Sequence, residues 1–169
     1  ITASVSIAHI TFSEKDIPDF NTNFKIIPPI RTESDCNSLK EGLIDGTIDY
    51  LTSMHEPFDI DHKKVVFDDA SPGSIGMESM FGLMCNQFTL EKTIDILTRN
   101  KMIFEIDDHP IEVGSKANLT LFNPDKNYQF SDKHILSSSK NCAFLGSKLK
   151  GVVYGSINGD KFTLNKLWT

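Results

Sequence analysis

The fold is decided by the stretch Lys25-Ile-Ile-Pro-Pro-Ile-Arg31 and by Glu41-Gly-Leu-Ile-Asp-Gly-Thr-Ile-Asp49, which follows it. The proline pair forces an extended segment. A helix is predicted next, because Thr32 or Ser34 can cap it, acidic residues fill its first turn and apolar residues recur at three- and four-residue spacing. The Asp-Gly pair of the second stretch ends this helix, and a short buried strand follows at 47–52. A helix that leads into a strand in this way is typical of α/β barrels.

The segments on either side of this unit add further elements. Residues 2–8 alternate small polar and apolar side chains and are predicted to form a strand, and residues 13–16 a short helical turn. Apolar side chains recur at helical spacing in 77–85, which predicts a helix that faces the core. Thr89 is expected to cap a second amphipathic helix, which runs to about Thr98.

The chain changes character after Met102 and becomes rich in strand-forming residues. Short strands are predicted at 103–106, 111–113, 117–122, 128–130, 151–154 and 161–164. The pair Asn158-Gly159 is a signal for a tight hairpin turn, so residues 152–165 are expected to fold back on themselves.

Composition limits the classes of function. The chain has 169 residues, 39% of them hydrophobic and 24% charged, with a net charge of −6. This balance indicates a globular protein, and the scattered basic residues argue against nucleic acid or a membrane surface as a partner. No apolar run reaches the ~20 residues needed to cross a bilayer. The three cysteines are far apart and odd in number, so neither a disulfide framework nor a zinc knuckle is indicated, and a reduced cytoplasmic setting is expected.

The first residue, Ile1, is not a methionine, and a predicted strand begins immediately after it. We therefore expect the chain to be a processed or truncated part of a longer protein.

The ordered segments together resemble a known family. Besides the two stretches quoted above, they are Ser53-Met-His-Glu-Pro57, Ala70-Ser-Pro-Gly-Ser-Ile-Gly-Met-Glu78, Val113-Gly-Ser-Lys-Ala-Asn-Leu-Thr-Leu-Phe122 and Ser139-Lys-Asn-Cys-Ala-Phe-Leu-Gly146. In this order and spacing they resemble the C-terminal half of the dihydroorotases, which belong to the amidohydrolase superfamily. The resemblance extends over essentially the whole chain.

The resemblance implies an α/β fold class: the C-terminal part of a (β/α)₈ TIM barrel of the metal-dependent hydrolase type, plus part of a small β-sandwich. Residues 1–100 would supply the last strands and helices of the barrel, and residues 101–169 the C-terminal segment of the sandwich. The family reaction is the reversible hydrolysis of dihydroorotate to N-carbamoyl-aspartate in pyrimidine biosynthesis. A zinc-activated hydroxide attacks the ring amide, and an aspartate after the eighth strand shuttles the proton.

The site residues implied by the resemblance are altered in this chain. The catalytic aspartate of the family corresponds to Met54, whose thioether cannot accept a proton and is a poor partner for zinc beside oxygen donors. The substrate-contacting asparagine corresponds to Ile27 and the substrate-contacting histidine to Phe58, so both positions have become apolar. Pro72 and Gly73 keep the family's form at a place where backbone groups contact the substrate.

No metal site is predicted from this chain alone, although zinc is the family's cofactor. The sequence has no His-x-His, and His9 and His55 are not ligands in the family pattern. The family's early His-x-His, carboxylated lysine and two later histidines would precede Ile1. We interpret His62, His109 and His134 as loop or sandwich residues.

Three functional hypotheses remain open. The losses favour a non-catalytic or impaired dihydroorotase-like protein that serves as a structural or regulatory partner. It would need the missing N-terminal half of the barrel, and it would form a homo-oligomer or a complex with aspartate transcarbamoylase or an active dihydroorotase. In the second hypothesis the protein is an active dihydroorotase in which Glu56 or Asp59 replaces the lost aspartate. In the third it is a related cyclic amidohydrolase with an altered substrate.

Overall fold

The computed structural model describes residues 1–167, and its first half contains a parallel β/α unit. Strand β1 (Ser4–Ser6) runs directly into helix α1 (Ile7–Thr11), and β2 (Tyr50–Thr52) lies parallel to β1 with Val5 opposite Leu51. Helix α2 (Glu33–Asp45) lies between them in the chain. Parallel strands need such a crossover connection, so this arrangement is the repeating unit of an α/β barrel.

The sequence signals for α2 are confirmed. Thr32 and Asp35 form a capping box, in which the Thr32 hydroxyl accepts from the Asp35 N–H at 3.2 Å and Asp35 accepts from the Thr32 N–H at 3.1 Å. These two bonds satisfy backbone donors that the first turn of a helix leaves free. Gly46 ends the helix in the left-handed conformation, with a φ of 87°.

Two further helices lie between the parallel pair and the antiparallel sheet. Helix α3 (Met80–Gln87) begins and ends later in the chain than the predicted range 77–85. Helix α4 (Leu90–Thr98) is capped by Thr89, as predicted. Single 3₁₀ turns occupy Glu14–Asp16, Thr22–Phe24, Ile60–His62, Arg99–Lys101 and Asp132–His134. The first of them is the short helical turn predicted at 13–16.

The second half of the chain forms a three-stranded antiparallel sheet. Strand β3 (Asn118–Gln129), β4 (Lys148–Asn158) and β5 (Lys161–Leu164) follow each other in that order across the sheet. The predicted hairpin is confirmed, since Asn158 pairs with Lys161 and Gly159 has a φ of 63°. Helix α3 packs on β4, where a Cβ on Gly82 would lie only 3.0 Å from Leu149.

Several predicted strands are wrong. Residues 103–106 and 111–113 form turns and irregular backbone and pair with no strand among the described residues. Ile111 is 87% exposed, and Phe104, which is 55% exposed, packs its ring edge-on against Tyr50 of β2. Residues 7 and 8 belong to α1, since the Ser6 hydroxyl caps a helix there. Residues 117–122 and 128–130 lie largely in one strand, β3. Its pairing with β4 shifts register between Asn123 and Asn127, which accommodates Pro124.

One hydrophobic core joins the two halves. Its fully buried members include Ile7, Ile10, Leu43, Ile75, Met84, Phe130, Phe144 and Leu149. The predicted domain division near residue 100 stays a prediction. Within the described residues, no helix has the length and apolar character to span a membrane. The three cysteines are free, and burial raises the pKa of the Cys142 thiol to about 12.

Arg99 connects the end of α4 to the turn between α2 and β2. Its guanidinium donates to the Leu43 carbonyl at 2.9 Å and to the Ile48 carbonyl at 3.0 Å. We predict that Arg99→Met lowers the free energy of unfolding by about 2–4 kcal/mol, because two carbonyls lose charged donors. Chemical denaturation measures this change. Lys101→Met is the control: Lys101 pairs only with the exposed Asp108, so a loss of about 1 kcal/mol or less is expected. Equal losses in the two variants would contradict this role for Arg99.

Candidate active site

Met54 lies just beyond the carboxyl end of β2, next to the carboxyl end of β1. Its backbone has a φ of 39°, which is uncommon for a residue with a side chain, and its N–H donates to the Thr52 hydroxyl at 3.1 Å. An open groove of about 360 Å³, the Met54 groove, runs beside it and is lined among others by Ser6, His9, Pro28, Pro29, Arg31 and Met54. The carboxyl ends of barrel strands are where (β/α)₈ enzymes place their active sites, so this groove is the candidate site.

His9 is fully engaged within the groove. Its Nε2 lies 2.7 Å from the Pro28 carbonyl oxygen and its Nδ1 lies 2.5 Å from the Ser6 hydroxyl oxygen. A carbonyl only accepts, so Nε2 carries a proton and donates to Pro28. Nδ1 shares a hydrogen bond with the Ser6 hydroxyl, so both ring nitrogens are engaged within the chain and neither is open to a metal ion.

The donor set of the groove does not fit a zinc ion. Zinc in catalytic sites is held by imidazole, thiolate and carboxylate groups. The groove offers instead a thioether at Met54, a cation at Arg31 and an occupied imidazole at His9, and no residue lining it in the described chain carries a carboxylate. Over residues 1–167, no three histidine, cysteine, aspartate or glutamate side chains are grouped so as to hold a metal.

Phe58 and Gly73 come together in a second region. Gly73 has a φ of 142°, and a Cβ at this position would lie 2.7 Å from Phe58 Cε2 and 2.9 Å from Glu56 Oε2. Its N–H donates to the Lys25 carbonyl at 2.7 Å. The backbone donor at this family-like position is therefore already used within the chain, and Pro72 beside it has no N–H.

Asn141 fixes the loop that carries Glu56 and Phe58. The buried Asn141 side chain donates to the Glu56 carbonyl at 2.9 Å and to the Gly73 carbonyl at 3.2 Å, and accepts from the Phe58 N–H at 3.1 Å. Both of its N–H groups and its oxygen are thus engaged. The sequence analysis did not single out Asn141, since nothing in its local sequence distinguishes it from a loop asparagine.

Lys63 is a second polar residue that the sequence analysis missed. It is only 4% exposed, and its ammonium donates to the Ser71 carbonyl at 2.8 Å and the Gly73 carbonyl at 3.0 Å. Burial lowers the pKa of Lys63, and the ammonium of Lys25 lowers it further, while Glu56 acts in the opposite direction. Its neighbour in the chain, Lys64, is exposed, so the sequence gives no sign of which lysine is buried.

The structure separates the remaining predicted site residues. Ile27 is 61% exposed and precedes Pro28 through a cis peptide bond, at the edge of the Met54 groove. Asp59 is exposed, and neither Glu56 nor Asp59 lines that groove. His55 accepts from the Met77 N–H at 3.3 Å, with Glu78 Oε2 at 3.7 Å, and so takes part in loop contacts.

The chain is similar to curated proteins named dihydroorotase. It is 34% identical over 160 residues to the dihydroorotase from Caldicellulosiruptor saccharolyticus, and this match covers 90% of this chain and 37% of that protein. It is also 34% identical over 177 residues to one from Caldanaerobacter subterraneus, covering 98% of this chain and 40% of that protein. The chain therefore spans about two fifths of the length of these relatives. No family model matches it.

Solved structures show the fold. The L-hydantoinase (dihydropyrimidinase) of Arthrobacter aurescens superposes with a TM-score of 0.81 at 19% identity, covering 98% of this chain and 39% of that one. The inactive dihydroorotase-like domain of the CAD-like multifunctional protein of Chaetomium thermophilum superposes with a TM-score of 0.63 at 20% identity. The match covers 95% of this chain and 43% of that one. The predicted fold class is confirmed: the chain has the α/β architecture of the C-terminal part of an amidohydrolase barrel.

We predict that Gly73→Ala destabilises the protein by roughly 2–5 kcal/mol, because the added methyl group meets Phe58 and Glu56 at a strained φ. Thermal and chemical unfolding measure the loss. Gly114→Ala is a matched control, since Gly114 has a φ of 94° with nothing within 4 Å of an added Cβ, so only the backbone strain of about 1 kcal/mol is expected. Adding Phe58→Ala to Gly73→Ala should recover part of the loss. Equal losses for both glycines would show that packing at Gly73 is not tight.

Proposed function

The chain belongs to the dihydroorotase family of amidohydrolases, and from this premise we propose that it is part of a protein of pyrimidine biosynthesis in which dihydroorotase activity is lost or strongly impaired. The family reaction is the reversible hydrolysis of dihydroorotate to N-carbamoyl-aspartate. The observation that carries the proposal is Met54, which lies at the strand end beside the candidate groove.

Hydrolysis of a cyclic amide requires a group that takes a proton from water and returns it to the leaving nitrogen. The Met54 thioether has no acid–base chemistry in the physiological range. His9 hydrogen-bonds to Ser6 and Pro28 through its two ring nitrogens, and Arg31 brings a cation to the groove. Among the described residues that line the groove, no carboxylate takes the place of the family's aspartate.

The loop at Gly73 supports the same proposal. In the family, substrate meets backbone groups at this position, but here the Gly73 N–H is bonded to Lys25 and the Phe58 ring packs against the glycine. Substrate binding here would break the bond to Lys25 and displace the ring. A site that loses hydrogen bonds to its substrate also loses discrimination between that substrate and its analogues.

Dihydroorotases and hydantoinases are metal-dependent in general. The family aspartate that falls within this chain is replaced by Met54, and the Met54 groove offers no zinc donor set in its place. The other metal ligands of the family correspond to positions before Ile1, so the zinc content of the whole protein decides this point.

A second candidate function is an active cyclic amidohydrolase that uses Glu56 in place of the lost aspartate. One observation favours it: Glu56 Oε2 lies against Gly73, next to the family's substrate-contacting loop. Asp59 is the other carboxylate in that loop. Because neither lines the Met54 groove, this function needs the loop to shift.

The role that follows from the proposal is structural or regulatory. The outer edges of β1 and β2 have no neighbouring strand among the described residues. In a complete barrel, strands from the N-terminal half would pair with both edges. The proposal includes assembly as a homo-oligomer, or with aspartate transcarbamoylase or an active dihydroorotase, in the cytoplasm.

The test is dihydroorotate hydrolysis, and the zinc content, of the whole protein that contains this chain. The dihydroorotase of Caldicellulosiruptor saccharolyticus is measured alongside. Without a proton shuttle, we expect turnover about 10²–10⁴-fold lower than that of the relative. Met54→Leu should leave the residual rate unchanged, because Met54 takes no part in the chemistry.

Glu56→Ala and Asp59→Ala separate the alternatives. If turnover is close to that of the relative and is lost in one of these variants, the second candidate function is established. Turnover of that size that survives both changes would refute our account of the site.

A further inference from the structure

A second cavity of about 310 Å³, the lysine cavity, lies away from the Met54 groove and shares no lining residue with it. Its walls come from the loop after β2 and from the segment before Asn141. The polar residues that line it are Asn23, Asp59, Lys63, Ser138, Ser139, Lys140 and Asn141, with Phe58 and Ile60 as apolar walls. It is about the size of the smaller pockets that bind small molecules.

Two ammonium groups border the cavity with neutral partners only. Lys63 donates to the carbonyls of Ser71 and Gly73, and Lys140 donates to those of Ile135 at 2.8 Å and Ser137 at 3.2 Å. An ammonium has three N–H donors, so each lysine keeps one N–H to spare. Within residues 1–167, neither lysine has a carboxylate within ion-pair distance, as the ion pairs of the chain lie elsewhere.

Burial of a cation is costly, and Lys63 is a buried cation whose charge the Glu56 carboxylate offsets only in part. At 4% exposure it has lost most of its hydration, and the charge of Lys25 nearby adds to the positive potential. Burial without a paired charge disfavours the charged form of a lysine. An anion in the cavity would supply the missing partner.

Neutral donors complete the cavity. The side chains of Asn23, Ser138 and Ser139 make no hydrogen bond to any other group in the described part of the chain, so their amide and hydroxyl groups are available. Asp59 is the carboxylate among the lining residues, and it is exposed to solvent. Two ammonium groups with hydroxyl and amide donors beside them form a set that suits the oxygens of a phosphate or carboxylate group.

We propose that the lysine cavity binds a small oxyanion between the ammonium groups of Lys63 and Lys140, with Ser138, Ser139 and Asn23 as neutral donors. The ligand class is a small molecule that carries a phosphate or a carboxylate group. The proposal does not depend on whether the protein hydrolyses dihydroorotate.

The experiment titrates the whole protein with inorganic phosphate and, separately, with succinate, at constant ionic strength, using calorimetry. Saturable binding of at least one of them is expected, and the preferred probe identifies the phosphate or the carboxylate as the group recognised. Binding should also raise the pKa of Lys63, followed by the NMR shift of its Cε with pH, because an adjacent anion favours the charged lysine.

Surface variants avoid disturbing the buried Lys63. Lys140→Met should weaken binding about tenfold, which corresponds to the loss of one charge-assisted hydrogen bond. Lys133→Met is the matched control, since Lys133 is an exposed lysine that does not line the cavity, and it should leave affinity unchanged. Asp59→Asn should tighten binding several-fold by removing a repelling charge.

The proposal is overturned if neither probe binds saturably, or if Lys140→Met and Lys133→Met weaken binding equally. In the second case, anion binding would depend on the net charge of the protein and not on the lysine cavity.

Discussion

The buried carboxamide of Asn141 is the interaction on which the arrangement around the site depends. It joins three backbone groups, the carbonyls of Glu56 and Gly73 and the N–H of Phe58. An unpaired buried backbone group costs about 1–3 kcal/mol, so the loop after β2 has a strong preference for this one position. The ammonium of Lys63 donates to the same Gly73 carbonyl. These bonds tie the loop to Gly73 and to the segment at Asn141, and the Phe58 ring packs against the glycine.

The elements that position these loops are all present in the structure. The capping box of α2, the parallel pairing of β1 and β2 and the polar links at Gly73 are all devices of folding, and all are intact. At the candidate site, Met54 brings a thioether to the strand end, and the Gly73 N–H donates to the Lys25 carbonyl. The proposed loss of activity rests on these atoms, whereas the fold rests on others.

The sequence was sufficient where structure is specified locally. Thr32, Asp35 and Gly46 determine the two ends of α2 through hydrogen bonds and a positive φ within the helix ends themselves, and the Asn-Gly pair determines the hairpin between β4 and β5. It failed where the outcome depends on distant partners. Phe104 and Ile111 have strand-forming side chains, yet neither lies in a strand, and the Phe104 ring instead packs edge-on against Tyr50 of β2. For the candidate site, the family resemblance identified Met54, Ile27 and Phe58 as positions of interest, but the burial of Lys63 and the links of Asn141 come from segments far apart in the chain, which no local pattern reveals.

The link from Asn141 to Glu56 spans 85 residues of sequence. Closing so long a loop carries an entropic cost. During synthesis, the loop after β2 cannot make this bond until the segment between β3 and β4 has left the ribosome. The mouth of the barrel therefore depends for its final shape on residues that lie after the last barrel helix in the chain.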